Sequence, residues 1–115
     1  MSAPFTPVLE RLARERGVHG GLVVGQRDGL VIEAYLQLGI RAEPIAALAA
    51  SIYRKARLSA DAAGLGEVRY VELVAERGRL CMTGRDDLVL VAVTDAHASI
   101  GLLRAGLLRA REALA

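Results

Sequence analysis

The chain has 115 residues, which is enough for one domain (residues 1–115) and short for two. It is 53% hydrophobic but only 3% aromatic, with a net charge of +2 and a mean hydropathy of +0.33, which predicts an aliphatic core and apolar surface for a partner. Charges of both signs are interspersed and aromatic residues are few, which argues against nucleic-acid binding. No apolar run is long enough to span a membrane. The lone Cys81 excludes an internal disulfide and predicts a reducing, cytoplasmic location.

A short helix and a β-hairpin are predicted at the start of the chain. Thr6 precedes a proline and has the residue type of a helix N-cap. Asp28 and Gly29 separate two apolar runs, a pattern typical of a hairpin closed by a type I′ turn, which needs positive φ at both residues. The glycine-rich first strand, which includes Gly20, predicts a bulge or a close backbone approach.

A second helix is predicted from Glu43-Pro44 to about Ala62, apolar or small all round in its N-terminal half. At 100° per residue, the sheet-facing stripe is predicted to be Ile45, Leu48, Ala49, Ile52 and Ala56. The outer row is predicted to be Ala46, Ala47, Ala50, Arg54 and Arg57. A helix that is apolar all round is covered on both sides, and small outer residues let another backbone approach closely. We therefore expect the outer row to contact a partner.

Three further strands and a closing helix are predicted in the second half of the chain. The strands are expected near residues 68–75, 79–84 and 88–94, and the helix from Ala98 or Ser99. Residues 88–93 are apolar without alternation, which indicates a central strand covered on both faces. Helices must then lie on both sides of the sheet.

No residue pattern predicts catalysis, a metal site or a cofactor. The Gly64-Leu65-Gly66 segment follows a helix and precedes a strand, the wrong order for a dinucleotide-binding turn. His19 and His97 have no further ligands at suitable spacing, and Cys81 lies in a strand without an adjacent base. Tyr70 fits either an interface or a half-buried position at the sheet edge.

The chain resembles the Roadblock (dynein light chain) family, in its bacterial, MglB-like branch. The matching segments are residues 17–24, 28–32, 48–51, 88–93 and 100–104, so the resemblance covers nearly the whole chain. It implies an α+β fold of order αββαβββα, with a five-stranded antiparallel sheet between the second helix and the two terminal helices.

The resemblance also implies a homodimer in which second helices pack together and third strands pair edge to edge. The interface is expected to include Ala46, Ala47, Ala50, Arg54, Arg57, Tyr70, Val71 and Leu73. The implied function is that of a non-catalytic regulatory module acting on a small Ras-like GTPase of the MglA type. The alternative is a structural dimerisation scaffold with a partner that is not a GTPase.

Overall fold

Three helices and five strands follow one another in the predicted order in the computed structural model, which describes residues 4–114. The helices are α1 (Thr6–Ala13), α2 (Ala42–Ala62) and α3 (Ile100–Ala110), and a 3-10 turn follows over Arg111–Leu114. The strands are β1 (Val18–Gly25), β2 (Val31–Leu36), β3 (Val71–Ala75), β4 (Gly78–Arg85) and β5 (Leu88–Thr94). Within residues 4–114, no helix combines the length and apolar character needed to cross a membrane.

The strands form one antiparallel sheet in the order β2-β1-β5-β4-β3. β5 lies at the centre and is buried over most of its length, as its unbroken apolar run predicts. On one face, Leu9 of α1 and Leu103 of α3 pack against Val23 and Leu90. On the other face, α2 packs against alternate residues of the same strands. This confirms the α+β architecture.

The first hairpin forms, but the prediction of a type I′ turn is wrong. β1 and β2 are joined by residues 26–30, in which Gly29 has a φ of 70° while Asp28 does not enter the left-handed region. The Asp28 carboxylate instead accepts a hydrogen bond from the Leu30 N–H at 3.0 Å. The reversal is closed by two backbone hydrogen bonds of 2.9 Å, from the Gly29 N–H to the Gly25 carbonyl oxygen and from the Gly25 N–H to the Leu30 carbonyl oxygen.

β1 has an irregularity at its start, as its glycine content predicts. Its pairing with β5 shifts between Val18 and Gly20, and Gly20 has a φ of 131°. A Cβ at Gly20 would lie 2.1 Å from the carbonyl oxygen of Tyr35 on β2. Only glycine therefore lets these two strands approach so closely at this point.

The helix start predicted at Thr6 is displaced by one residue. Phe5 occupies the N-cap position without a side-chain cap, and Thr6 is the first helical residue. The Thr6 hydroxyl donates to the Glu33 carboxylate on β2 at 2.7 Å, and that carboxylate also accepts from the Phe5 N–H at 3.0 Å. The Glu33 carboxylate of β2 thus accepts the hydrogen bonds that a capping side chain would otherwise accept at the start of α1.

Candidate interaction surfaces

An apolar surface lies where α2 passes beside the edge strand β3. Ile45 and Leu48 of α2, with Leu73 and Ala75 of β3, line a cleft of about 210 Å³, and we call these four residues the α2–β3 surface. Leu48 is 47% exposed and borders this cleft, so it adds apolar area next to the edge strand. β3 is the last strand of the sheet, so the backbone groups on its outer edge pair with no strand in residues 4–114.

The predicted interface residues Val71 and Leu73 lie at this edge. Both are half-buried and pack against the cluster of side chains beneath α2. Their backbones pair with Met82 and Leu80 of β4 on the inner side only. Leu73 and Leu48 thus line the same cleft, although Leu48 was predicted to face the sheet.

The prediction that Ala46 and Ala50 lie on the outer row of α2 is wrong. Both are buried against the sheet with Ala49 and Tyr53. Small residues face inward because they let the helix backbone approach the sheet closely. The larger Leu48 is consequently displaced toward β3 instead of packing on the sheet as predicted.

Ala47 and Arg54 lie on the flank of α2 that faces the β1–β2 loop. Ala47 is exposed. The Arg54 guanidinium donates to the carbonyl oxygens of Gln26 and Arg27, both at 3.1 Å. Arg54 therefore holds this loop against the helix. Both hydrogen bonds start from its Nη1 atom, so that atom has no donor left for a partner.

Tyr70 lies on the opposite face of the sheet from α2. It is half-buried and packs against the cluster that includes residues of α1 and α3. Its hydroxyl donates to the Glu72 carboxylate at 3.0 Å, and the Arg104 guanidinium lies 5.8 Å from the ring centroid. Burial, followed by hydrogen bonding with Cys81 and Glu72, raises the pKa of Tyr70. Tyr70 therefore does not join the α2–β3 surface.

A second, polar cleft of about 470 Å³ lies at the other end of α2, beside the β4–β5 turn. We call it the polar cleft; it is lined by Gln26, Tyr53, Arg57, Glu67, Val68, Gly84, Arg85, Asp86, Arg111 and Glu112. The predicted residue Arg57 is exposed at its mouth. Apart from Arg57, these residues were not predicted to share a site, because they come from five separate segments of the chain.

The floor of the polar cleft is fixed by hydrogen bonds to backbone carbonyl oxygens. The Tyr53 hydroxyl donates to Val68 at 2.8 Å, and the Arg111 Nε donates to Gly84 at 2.9 Å. Burial raises the pKa of Tyr53 above its ordinary value, so the hydroxyl remains a donor even in alkaline solution where an exposed tyrosine would ionise. A Cβ at Gly84 would lie 2.5 Å from the Tyr53 ring, so glycine is what lets the ring pack here.

The cysteine and histidine side chains, which could carry catalysis or bind a metal, lie outside both clefts. Cys81 is fully buried, and burial raises the pKa of its thiol. His19 and Asp95 are 3.2 Å apart, and the His97 backbone N–H donates to Asp95 at 2.7 Å, at the turn between β5 and α3. Across residues 4–114, no three potential metal ligands converge.

Comparisons with known proteins agree with this fold. The sequence model of the Roadblock/LC7 domain matches residues 5–94. A Methanocaldococcus jannaschii protein named Uncharacterized protein MJ1340 is 34% identical over 105 residues, covering 91% of each chain. The gliding protein MglB of Thermus thermophilus superposes with a TM-score of 0.82 at 25% identity, over 99% of this chain and 90% of that one. A structure described as MglB with tetrameric arrangement gives 0.83 at 26% identity, over 99% and 89%.

Proposed function

We propose that this chain, which belongs to the Roadblock/LC7 domain family, is a homodimeric regulatory module that binds a small Ras-like GTPase. Roadblock/LC7 domains are in general non-catalytic binding modules. The GTPase in this proposal follows from the resemblance of the sequence to the MglB-like branch, and MglB structures are among those with the same fold.

The observation that carries the homodimer is the α2–β3 surface beside the open edge of β3. An exposed edge strand is a template for pairing with another strand, and a neighbouring apolar patch supplies burial for the contact. Two copies related by a twofold axis would pair β3 with β3 in antiparallel fashion. That arrangement would bring Leu48 of each copy against the other copy and would cover the open β3 edge of both copies at once.

The homodimer is tested by replacing Leu48 with arginine and measuring the molar mass by light scattering. An unpaired charge at a desolvated contact disfavours association, so Leu48→Arg should be monomeric at concentrations where the parent chain is dimeric. Leu102→Arg is the matched control, because Leu102 is also an exposed leucine on a helix but lies on α3. A monomeric parent, or a Leu48→Arg variant that remains dimeric, would overturn the proposed interface.

The GTPase is tested with small Ras-like GTPases from the same organism, each loaded with GDP or with a non-hydrolysable GTP analogue. We expect one of them to bind the immobilised parent chain with a preference for one nucleotide state. The rate of GTP hydrolysis with and without this chain then shows whether binding is regulatory. A stable dimer that binds none of these GTPases would instead support the dimerisation scaffold.

A further inference from the structure

Exposed apolar side chains are concentrated along β2, at the edge of the sheet opposite β3. Ten large apolar side chains are exposed within residues 4–114, and four of them fall within residues 30–38, which we call the β2 edge. They are Leu30 at 65%, Ile32 at 51%, Tyr35 at 49% and Leu38 at 102% exposed. The proposed homodimer covers β3 and leaves this apolar surface in water.

The backbone of the β2 edge also has unpaired groups. β2 is the last strand on its side of the sheet, so among residues 4–114 it pairs only with β1. The Gln37 N–H donates to the His19 carbonyl oxygen of β1 at 3.0 Å. Because bonding directions alternate along an antiparallel strand, the N–H and C=O groups of Ala34 and Leu36 point outward. Such a row of donors and acceptors is a template for another strand.

The β2 edge has few of the features that protect an edge strand. Residues 30–38 contain one charged residue, Glu33, and neither lysine nor proline. The Glu33 carboxylate accepts hydrogen bonds from Phe5 and Thr6, at the start of α1. A bulge at Ile32 shifts the pairing with β1 and leaves residues 33–37 as the regular part of the strand. This regular part is open to pairing.

We propose that the β2 edge pairs in antiparallel fashion with the β2 edge of a second copy of this chain, about a twofold axis at Tyr35. In this register Ala34 of each copy exchanges backbone hydrogen bonds with Leu36 of the other, which gives four bonds from the regular parts of both strands. The two Tyr35 rings meet at the axis. An open cleft of about 400 Å³ lies between Tyr35 and α1, so a second ring has room there.

The second copy is favoured as the occupant because the β2 edge is complementary to itself in this register. The apolar pairs across the axis are Tyr35 with Tyr35, Ala34 with Leu36, and Ile32 with Leu38. The remaining pair sets the Glu33 carboxylate opposite the Gln37 amide, so no like charges oppose one another. Aromatic and other apolar pairs directly opposite each other are the contacts that stabilise neighbouring antiparallel strands.

The area of this contact is sufficient for a dimer but small. At ~200 Å² for a fully exposed large side chain, the exposed fractions of Ile32, Tyr35 and Leu38 amount to roughly 400 Å² of apolar surface per copy. Since a little over half of an interface is apolar, this corresponds to about 700 Å² per copy, against about 800 Å² in a standard interface. We therefore expect the contact to require a higher protein concentration than the β3 contact, which α2 flanks.

The contact is tested in the Leu48→Arg background, in which the β3 contact is weakened. Sedimentation velocity should show this variant as a monomer where the parent first dimerises, and as a dimer, but no larger, at higher concentrations. The parent should pass beyond the dimer there. Adding Tyr35→Lys should keep the Leu48→Arg variant monomeric throughout, because like charges then oppose each other at the axis. Adding Leu58→Lys instead is the matched control, since Leu58 is 59% exposed but lies on α2.

A charge exchange separates pairing from an indirect effect on folding. In the same background, Tyr35→Glu alone should also stay monomeric. An equimolar mixture of the Tyr35→Lys and Tyr35→Glu variants should form dimers, because opposite charges then meet across the axis. A mixture that remains monomeric would contradict the pairing.

Cross-linking tests the register. Tyr35→Cys should form disulfide-linked dimers under mild oxidation, because directly opposed residues lie within the about 4.4–6.8 Å between Cα atoms that a disulfide spans. Leu38→Cys is the control: Leu38 is fully exposed, but in this register its two copies lie about 20 Å apart and should not cross-link. The native Cys81 is buried and does not interfere.

Several outcomes would overturn the inference. They are a Leu48→Arg variant that never associates, association that Tyr35→Lys does not change, and equal cross-linking of Tyr35→Cys and Leu38→Cys. Protection of the Ala34 and Leu36 amides from hydrogen exchange only when a GTPase is bound would also overturn it, because the strand that covers β2 would then belong to that partner.

This inference goes beyond the proposed function and fails separately from it. If the parent dimer is lost through Tyr35→Lys but not through Leu48→Arg, the β2 edge is supported and the proposed β3 interface is wrong. If it is lost through Leu48→Arg and nothing associates at higher concentration, the β3 interface stands and the inference about β2 is wrong.

Discussion

Replacing Ala50 with arginine is expected to destabilise the domain far more than the same replacement at Ala47. Ala50 is 1% exposed and packs against the sheet beside Ala46 and Tyr53, whereas Ala47 is exposed on the same turn of α2. A guanidinium placed at Ala50 must either remain buried without a partner or push the helix away from the sheet. Either outcome should lower the free energy of unfolding by at least ~3 kcal/mol.

This difference is large enough to measure by urea unfolding. With an m-value of ~1.5 kcal/mol/M, a loss of ~3 kcal/mol lowers the urea midpoint by ~2 M. Ala47→Arg should stay within about 0.5 kcal/mol of the parent, as is usual for an exposed position. Both variants must be compared at one protein concentration, because dissociation of a dimer contributes to the apparent stability.

One result of the urea experiment would contradict the inward orientation of Ala50. Equal urea midpoints for Ala50→Arg and the parent would mean that the Ala50 side chain faces solvent. The inward orientation of the small residues of α2 would then be wrong, and so would the displacement of Leu48 toward β3 that follows from it.

Three further outcomes follow from individual side chains. Tyr53→Phe should lose about 1–2 kcal/mol of unfolding free energy, because the Val68 carbonyl oxygen loses its donor, and an unchanged urea midpoint would contradict this. Cys81 should react with a thiol reagent only as fast as the protein unfolds, because burial hides the thiol and raises its pKa; rapid reaction in the native state would place it at the surface. The His97 backbone N–H, followed by the charge of His19, holds the pKa of Asp95 below its ordinary value. The resulting stability is present above the unfolded pKa of about 4 and is lost as pH falls through the folded value, so Asp95→Asn should show a shallower acid loss than the parent.

The central sheet was predictable from sequence because its signals are local. The unbroken apolar run over residues 88–93 predicts a strand covered on both faces, and β5 begins with that run and extends one residue beyond it, to Thr94. The order of helices and strands follows for the same reason. The geometry of the first turn could not be predicted in the same way, because its closing hydrogen bonds join Gly25 to Gly29 and Leu30, a spacing that the Asp28-Gly29 pair alone does not specify.

The orientation of α2 could not be decided from its own sequence. Ala46, Ala49, Ala50 and Tyr53 recur at the same helical spacing as the larger residues that begin with Ile45. The choice between the two stripes depends on how close the helix lies to the sheet, which is a property of the whole fold. Periodicity alone places Ala49 correctly, and Ile45 and Ile52 are partly buried as well, but close helix–sheet packing turns the small residues Ala46 and Ala50 inward and leaves Leu48 exposed.

The polar cleft had no sequence signal for a related reason. It joins Gln26 to residues as distant as Arg111, and two of its organising atoms are the backbone carbonyl oxygens of Val68 and Gly84. Backbone atoms carry no residue identity, so no motif spacing could have indicated them. Such a site becomes visible only when the sheet is assembled.

The place of β5 between β1 and β4 has a consequence for how the chain folds during synthesis. β1 is made early, yet one of its edges is completed only by β5, with Val18 opposite Thr94. The first hairpin therefore leaves the ribosome with the β5-facing edge of β1 unpaired. That apolar edge stays unpaired until β5 has been made. Contacts between such distant segments form slowly, because a long loop must close before they contribute. Until β5 has been made, the nascent first half exposes this apolar edge, and an exposed strand edge of this kind favours aggregation.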